Sequence, residues 1–209
     1  MLKLRKLAVT GGLASGKSSV CKFFSECGAH VVSTDSMVHQ LLSPSTDIGK
    51  QVIDLLGKDI VIDGQIERRR IAKKVFEDPA LLKDLERILH PAVRLLVEGE
   101  YQGCKNREDI SLFVVEIPLL FESGVKSFSS FFDWTVSVSA GRELCEERFL
   151  KIRGHNLEQF QKRSLRQLPQ NEKDMMADYV IYNHASKEEL KEAVFRLHQD
   201  LVRSGRPES

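Results

Sequence analysis

The sequence predicts an α/β fold: a five-stranded parallel sheet, helices on both faces, and a large helical insertion. Three observations carry this expectation. Short, continuous apolar runs recur along the chain with helix-patterned stretches between them, as strands buried on both faces require. The interval between the second and third runs is far too long for one crossover helix. Finally, Gly11-Gly12-Leu13-Ala14-Ser15-Gly16-Lys17-Ser18 spells G-x-x-x-x-G-K-[ST] directly between a strand-like run and a helix-like one.

The elements follow in order. Leu4 to Thr10 ends in a buried-strand pattern. Lys17 to Cys27 then places Val20, Phe23, Phe24 and Cys27 on one helical face that can pack against the sheet. His30 to Ser33 reads as the second strand. Residues 36–108 are helical in pattern and form the expected insert. Within it, Asp78-Pro79 is a helix entry with proline in the first turn. His90-Pro91 falls inside a helical pattern, where proline is expected to break or restart the helix. Leu112 to Glu116, Trp134 to Val138 and Tyr179 to Tyr182 supply the remaining strands. Arg148 to Gln170 is polar, basic and poor in large apolar residues, so a mobile helical flap with little core is expected. Lys187 to Arg203 carries Leu190, Val194, Leu197 and Leu201 at helical spacing and should close the core. The domain expectation is therefore a core of residues 1–35, 109–147 and 171–209, an insert of 36–108 and a lid of 148–170.

The loop from Gly11 to Ser18 has a direct chemical reading. Backbone N–H groups at a helix N-terminus form a site for an anion, strengthened by the helix dipole. Lys17 can set its charge against the β- and γ-phosphates of a nucleotide, and the Ser18 hydroxyl can take a place on Mg²⁺. This is the P-loop NTPase signature.

Ligands in parallel sheets gather at the carboxyl ends of the strands. Thr10, Asp35, Glu116 and Asn183 all fall at such ends. A hydroxyl attacking a γ-phosphoryl group needs a carboxylate to orient it and receive its proton, and Asp35 is placed for that. Asp35 could equally cap the helix beginning near Ser36. Glu116 could hold a Mg²⁺-bound water, contact an acceptor, or be an ordinary strand-end acid. In the flap, Arg148, Arg153, Arg163 and Arg166 can stabilise the charge of a transferring phosphoryl group, although any one of them fits a solvated helix face as well. Arg68-Arg69-Arg70 suits an anionic acceptor or a solvated helix. His90 has suggestive context at the expected helix break, and a structural role fits it as well.

Composition bounds the rest. The 209 residues are 42% hydrophobic and 29% charged, enough for one unit with a sizeable core or a core with an inserted subdomain. Lys+Arg 31 against Asp+Glu 30 gives a net charge of +1, so no general drive exists toward nucleic acid or an anionic membrane. No apolar run approaches a membrane span, and the N-terminus lacks the long apolar segment of a signal peptide. Cys21, Cys27, Cys104 and Cys145 match no zinc spacing. A reduced, cytoplasmic enzyme is expected.

Several further motifs share one order. Thr10-Gly11-Gly12-x-x-Ser15-Gly16-Lys17-Ser18 comes first, then Asp35, then Asp63-Gly64-x-Ile66-x-Arg68-Arg69 running into Val75-Phe76. Leu89-His90-Pro91 follows, then Glu116-Ile117-Pro118-Leu119-Leu120-Phe121-Glu122. Arg163-x-x-x-Gln167 and Ala177-Asp178-x-Val180-Ile181-x-Asn183 complete the series. Over essentially the whole chain this resembles the dephospho-CoA kinase family. The resemblance implies ATP-dependent phosphorylation of the ribose 3′-hydroxyl of dephospho-CoA, with Mg²⁺, by a nucleotide core, a helical acceptor subdomain and a lid. It implies Asp35 as base. It also implies ATP held by the loop amides from Gly12 through Leu13, Ala14, Ser15 and Gly16 to Ser18, with Lys17, Arg148 and Arg163. Asn183 would lie toward the adenine. Arg68, His90, Glu116, Pro118, Leu119 and Leu120, with Asp35, would surround the acceptor. The implied partners are ATP and dephospho-CoA alone, without nucleic acid or membrane, for a monomer or weak oligomer.

The chain departs from the family pattern at three places. Ser33-Thr34-Asp35 stands where Asp-x-Asp is common and keeps the second aspartate. His39 stands where arginine is common, and Gly154 where an acidic residue is common. Two alternatives share or approach this chemistry. A nucleoside monophosphate or shikimate-type kinase has the same core and differs in acceptor; the long insert favours a large one. A regulatory GTPase would carry Asn-Lys-x-Asp, which Asn171-Glu172-Lys173-Asp174 only approximates, and Asp54-x-x-Gly57 lies inside the insert.

Overall fold

A computed structural model of the chain describes residues 4–122, 126–154 and 156–203. In chain order the elements begin β1 (Lys6–Gly11), α1 (Lys17–Glu26), β2 (His30–Ser33), α2 (Thr34–Leu41) and α3 (Asp47–Leu56). Next come β3 (Val61–Ile62), β4 (Gln65–Ile66), α4 (Arg68–Glu77) and α5 (Pro79–Cys104). The last part holds β5 (Phe113–Glu116), α6 (Lys126–Ser129), β6 (Trp134–Ser139), α7 (Arg142–Leu150), α8 (Leu157–Ser164), α9 (Gln170–Met176), β7 (Tyr179–Tyr182) and α10 (Lys187–Arg203). The chain divides into two compact units, one of residues 1–32 and 103–209, the other of residues 33–102.

The first unit is built on a five-stranded parallel sheet of order β2-β5-β1-β6-β7. β1 is central because its apolar residues can be buried on both faces: Leu7, Ala8 and Val9 are wholly inaccessible. It pairs with β5 from Lys6↔Phe113 to Val9↔Glu116 and with β6 from Leu7↔Trp134 to Gly11↔Val138. Each strand sends alternate residues to opposite faces. Leu7 and Val9 therefore join Leu112, Val114, Val136, Val138 and Ile181 against Val20 and Phe24 of α1 and Leu190, Val194 and Leu201 of α10. Each such side chain, fully buried, contributes roughly 1.5–3 kcal/mol.

β6 departs from the continuous apolar pattern. Its Thr135, Ser137 and Ser139 are buried polar residues. They alternate with Val136 and Val138. Asp178 accepts from the Thr135 amide and hydroxyl, at 2.7 and 2.8 Å, and Asp174 accepts from Ser137 Oγ at 2.6 Å. The sheet thus has one apolar face and, at β6, one face that carries hydrogen bonds.

The flap also differs from its expectation. Phe149 and Phe160 are 1% and 2% exposed and pack, 5.6 Å between ring centroids, with Ala140 and Cys145. Two aromatics thus supply a small core, which the polar composition of residues 148–170 concealed. Helix α8 opens on a capping box between Asn156 and Gln159.

The second unit has its own core of Leu42, Val52, Leu56, Ile60, Ile66, Ile71, Val75 and Leu85. It is not purely helical, as β3 and β4 form an antiparallel hairpin. Asp63 and Gly64 between them both take positive φ, 49° and 74°, as a tight two-residue hairpin turn demands. Asp78 caps α5 by accepting from the Ala80 amide at 2.8 Å, with Pro79 at the first helical position as expected. Pro91 does not break that helix; α5 runs through it from Pro79 to Cys104. Pro91 and Arg87, whose carbonyl loses its N–H partner to the proline, are both exposed residues of α5.

Candidate functional site: a phosphate-binding loop and its supports

The loop between β1 and α1 is held in an unusual backbone conformation. Ala14 has φ 57° and Gly16 has φ 100°. A left-handed alanine costs about 1 kcal/mol and persists only where its surroundings dictate it. Gly16 is dictated by crowding as well: a Cβ there would come within 2.1 Å of Asn183 Nδ2.

Lys17 is the first residue of α1 and is 8% exposed. Its ammonium donates to the carbonyls of Gly11 at 3.0 Å and Gly12 at 2.7 Å, which lays it across the loop. On the next position Ser18 Oγ donates to Glu116 Oε1 at 3.1 Å. The parallel register explains the pair: Glu116 closes β5 opposite Val9 of β1, so its carboxylate reaches the start of α1. One hydroxyl and one carboxylate oxygen are the hard oxygen donors that a Mg²⁺ ion takes, usually with phosphate and water filling its other positions.

Arg148 and Asn183 support the loop from α7 and from the end of β7. Asn183 is 5% exposed; its Nδ2 donates to the Ser15 carbonyl at 2.7 Å, and its own N–H to Ser139 at 2.7 Å. Arg148 adds longer bonds, 3.5 Å to the Ser15 carbonyl and 3.3 Å to both oxygens of Asn183. Ser15 Oγ itself is buried without a hydrogen-bond partner.

The site's charges act on the neighbouring thiols. Burial pushes Cys21 far above the ordinary thiol range, with Glu116 adding to the rise and Lys17 opposing it. Burial also raises Cys145 against the pull of Arg148 and Lys17. Both are buried and held as neutral thiols, which are inert side chains of the core.

The Pro118–Glu122 turn follows β5. Leu120 is buried, Leu119 is 44% exposed, and the Pro118 carbonyl accepts from Thr10 Oγ1 at 3.4 Å. Glu122 Oε1 accepts from the Leu168 amide at 3.0 Å and from Lys173 Nζ at 2.6 Å, Lys173 being wholly buried. Arg163 on α8 is exposed, with its guanidinium 5.7 Å from the Phe149 ring centre.

The first unit therefore brings together Gly12 to Ser18, Glu116, Pro118, Arg148 and Asn183. Asp35, Arg68 and His90 belong to the second unit. Asp35 is exposed on the first turn of α2, and Ser33, not Asp35, occupies the N-cap position. Arg68 opens α4, exposed, and His90 is half-buried on α5, one residue before the proline.

Sequence reasoning carried Gln167 only within the Arg163-x-x-x-Gln167 motif and missed Gln170 and its partners altogether. Gly12 N–H donates to Gln170 Oε1 and Leu13 N–H to Gln167 Oε1, each at 2.8 Å. Gln170, Lys173 and Asp174 share one face of the short α9, a spacing of three and four residues that was readable. The four-residue run Asn171 to Asp174 drew attention only as a fragment of a guanine-reading motif.

A parallel sheet whose central strand ends in a lysine-bearing glycine loop, with a carboxylate beside the loop's serine, is the core of the P-loop nucleotide-binding class. A family model described as dephospho-CoA kinase matches residues 5–189. A dephospho-CoA kinase of Protochlamydia amoebophila (strain UWE25) is 45% identical over 204 residues, covering 96% of this chain and 98% of that one. Among solved structures, TT1252 from Thermus thermophilus superposes with a TM-score of 0.81 at 30% identity, covering 95% of this chain and 98% of the other. The dephospho-CoA kinase from Campylobacter jejuni gives 0.68 at 24% identity, covering 95% and 97%, and supports the fold. The chain belongs to the dephospho-CoA kinase family. No helix among the described residues is long and apolar enough to cross a membrane.

Proposed function

We propose that this protein transfers the γ-phosphoryl group of ATP to the ribose 3′-hydroxyl of dephospho-CoA, giving coenzyme A and ADP. The observation that carries the reading is the loop in which Lys17 lies across the Gly11 and Gly12 carbonyls while Ser18 meets Glu116. Family membership supplies the acceptor.

In this reading the loop amides and Lys17 hold the ATP phosphates in place, because charge and orientation rather than covalent chemistry dominate phosphoryl transfer. Ser18 Oγ and the Glu116 carboxylate that it meets would hold a Mg²⁺ ion accompanying ATP, which would supply positive charge to the phosphates. Arg148, already directed at Ser15 and Asn183, adds positive charge beside the phosphates. Arg163 closes from the lid of residues 148–170, and Asn183 both braces the loop and borders the adenine side.

The acceptor half rests on the 36–108 subdomain. Asp35 takes the proton of the attacking hydroxyl; its exposed place in the first turn of α2, off the cap position, supports that role over a capping one. Arg68, His90 and the Pro118, Leu119 and Leu120 turn bind the acceptor.

The test is ADP release with a panel of acceptors: dephospho-CoA, nucleoside monophosphates and shikimate. Turnover with dephospho-CoA and a 3′-phosphorylated product supports the reading. Turnover with another acceptor alone assigns the chain a different substrate, and nucleotide hydrolysis without any acceptor refutes it.

A further inference from the structure

The amides of Gly12 and Leu13 donate to side chains 158 and 154 residues away in the chain. A backbone N–H can only donate, so the amide oxygens of Gln170 and Gln167 must point at the loop. For Gln170 this fixes the other end as well. Its Nε2 has two hydrogens, and two acceptors receive them: Ser137 Oγ at 3.0 Å and Asp174 Oδ1 at 2.7 Å. Ser137 in turn donates to Asp174 at 2.6 Å. Both hydrogens and the oxygen of the Gln170 head group are engaged, and Ser137 and Asp174 tie it to β6.

The segment that carries both glutamines is itself anchored. Lys173, fully buried, pairs with Glu122 at 2.6 Å and donates to the Pro118 carbonyl at 3.3 Å; Leu168 N–H donates to the same Glu122 oxygen at 3.0 Å. From the other side of the loop, Asn183 and Arg148 take the Ser15 carbonyl. The loop is thus held at Gly12 and Leu13 by residues 167–170 and at Ser15 by Asn183.

We propose that Gln167 and Gln170 are positioning residues for the nucleotide phosphates. They hold the first half of the loop so that the amides from Ala14 onward keep the orientation an anion requires. Gln167 also lies three residues beyond α8, the helix that bears Arg163. Movement of that helix therefore changes the bond to Leu13 N–H before it changes the one to Gly12, which Gln170 holds from the sheet. This proposal rests on the loop being the phosphate site and not on the identity of the acceptor.

The test compares Gln167→Met, Gln167→Glu and Gln170→Met with the parent protein, without acceptor. Amide hydrogen exchange at Gly12 and Leu13 and the dissociation constant for Mg²⁺·ADP are the readouts. Gln167→Met should lose protection at Leu13 and Gln170→Met at Gly12. Each should raise the Mg²⁺·ADP dissociation constant about three- to tenfold, the effect of one hydrogen bond. Gln167→Glu keeps an acceptor oxygen and should keep protection at Leu13. In turnover assays KM for ATP should rise while KM for the acceptor stays as it was. Unchanged exchange with unchanged nucleotide affinity would overturn the proposal. Tighter nucleotide binding would overturn it too, because the glutamines would then be occluding the loop. The Gln167 side chain makes one hydrogen bond among the described residues, that to Leu13 N–H, so its variants report even if Gln170→Met folds poorly. A protein that binds nucleotide normally yet ignores dephospho-CoA would refute the acceptor reading and leave this one standing.

Discussion

Asn183 Nδ2 donates to the Ser15 carbonyl at 2.7 Å, joining the end of the last strand to the phosphate loop that follows the first. The same amide nitrogen occupies the space in which a Cβ on Gly16 would lie. The glycine of the motif is therefore required by a residue outside the motif.

Gly16→Ala should displace Asn183 and strain a backbone at φ 100°. The left-handed penalty and one lost hydrogen bond together predict a loss of about 2–3 kcal/mol. Chemical denaturation measures that loss, and nucleotide titration should show weakened binding in the same variant. An alanine protein with parent stability would mean that Asn183 has room to withdraw without cost.

Lys17→Ala and Asp35→Asn should separate donor from acceptor chemistry. The first removes the ammonium lying across the loop and should weaken both ATP binding and turnover. The second should leave ATP binding intact and lower transfer by about 10²–10⁴, the range for a lost general base. Isothermal titration with Mg²⁺·ATP, followed by single-turnover transfer, distinguishes them; parent-like transfer by the asparagine variant would remove Asp35 from the mechanism.

Lys173→Met should be among the most destabilising single changes. It leaves Glu122, 11% exposed at its side chain, as a charge without its cation, which costs about 3–5 kcal/mol in buried pairs. The double variant Lys173→Met, Glu122→Leu should recover most of that loss, since no buried charge is left unpaired. Urea midpoints of the two proteins check this directly.

His198 gives the fold a pH dependence of known sign. The ring is 9% exposed, its Nε2 is 2.8 Å from Ser111 Oγ, and burial holds its pKa below the ordinary histidine value. The unfolded chain therefore binds a proton more readily than the folded one. The His198 contribution is fully present above the ordinary value of about 6.5 and is lost as pH falls from there toward the folded value. Thermal melts between pH 7.5 and 5 should show a decline that sets in below about pH 6.5 and that His198→Gln removes.

The sheet was legible because its strands are apolar runs too short for helices, and the phosphate loop because its motif is contiguous. The hairpin at residues 61–66 was obscured by its length, with two residues per strand, although Asp63-Gly64 between apolar neighbours is itself a turn signal. Pro91 misled because a proline's cost in a helix depends on whether the freed carbonyl meets solvent, and exposure is not written in the local sequence. Phe149 and Phe160 are two aromatics in a basic stretch; only folding brings their rings to 5.6 Å. The Gln170 bond to Gly12 spans 158 residues, a distance over which residue type alone predicts nothing. Asp35 stood out by its place after a strand, Arg68 by its arginine run and His90 by its proline, signals that do not indicate a residue's surroundings.

The brace at Asn183 also orders events during synthesis. The loop leaves the ribosome early, whereas the side chain that holds its Ser15 carbonyl is 168 residues behind it. At translation speeds of 5–20 residues per second the interval is roughly ten to thirty seconds. Throughout it the nascent chain carries the phosphate motif but not the braced site. In the proposed reading the nucleotide site is complete only once the final strand has emerged, so nucleotide stabilises the finished fold rather than the nascent chain.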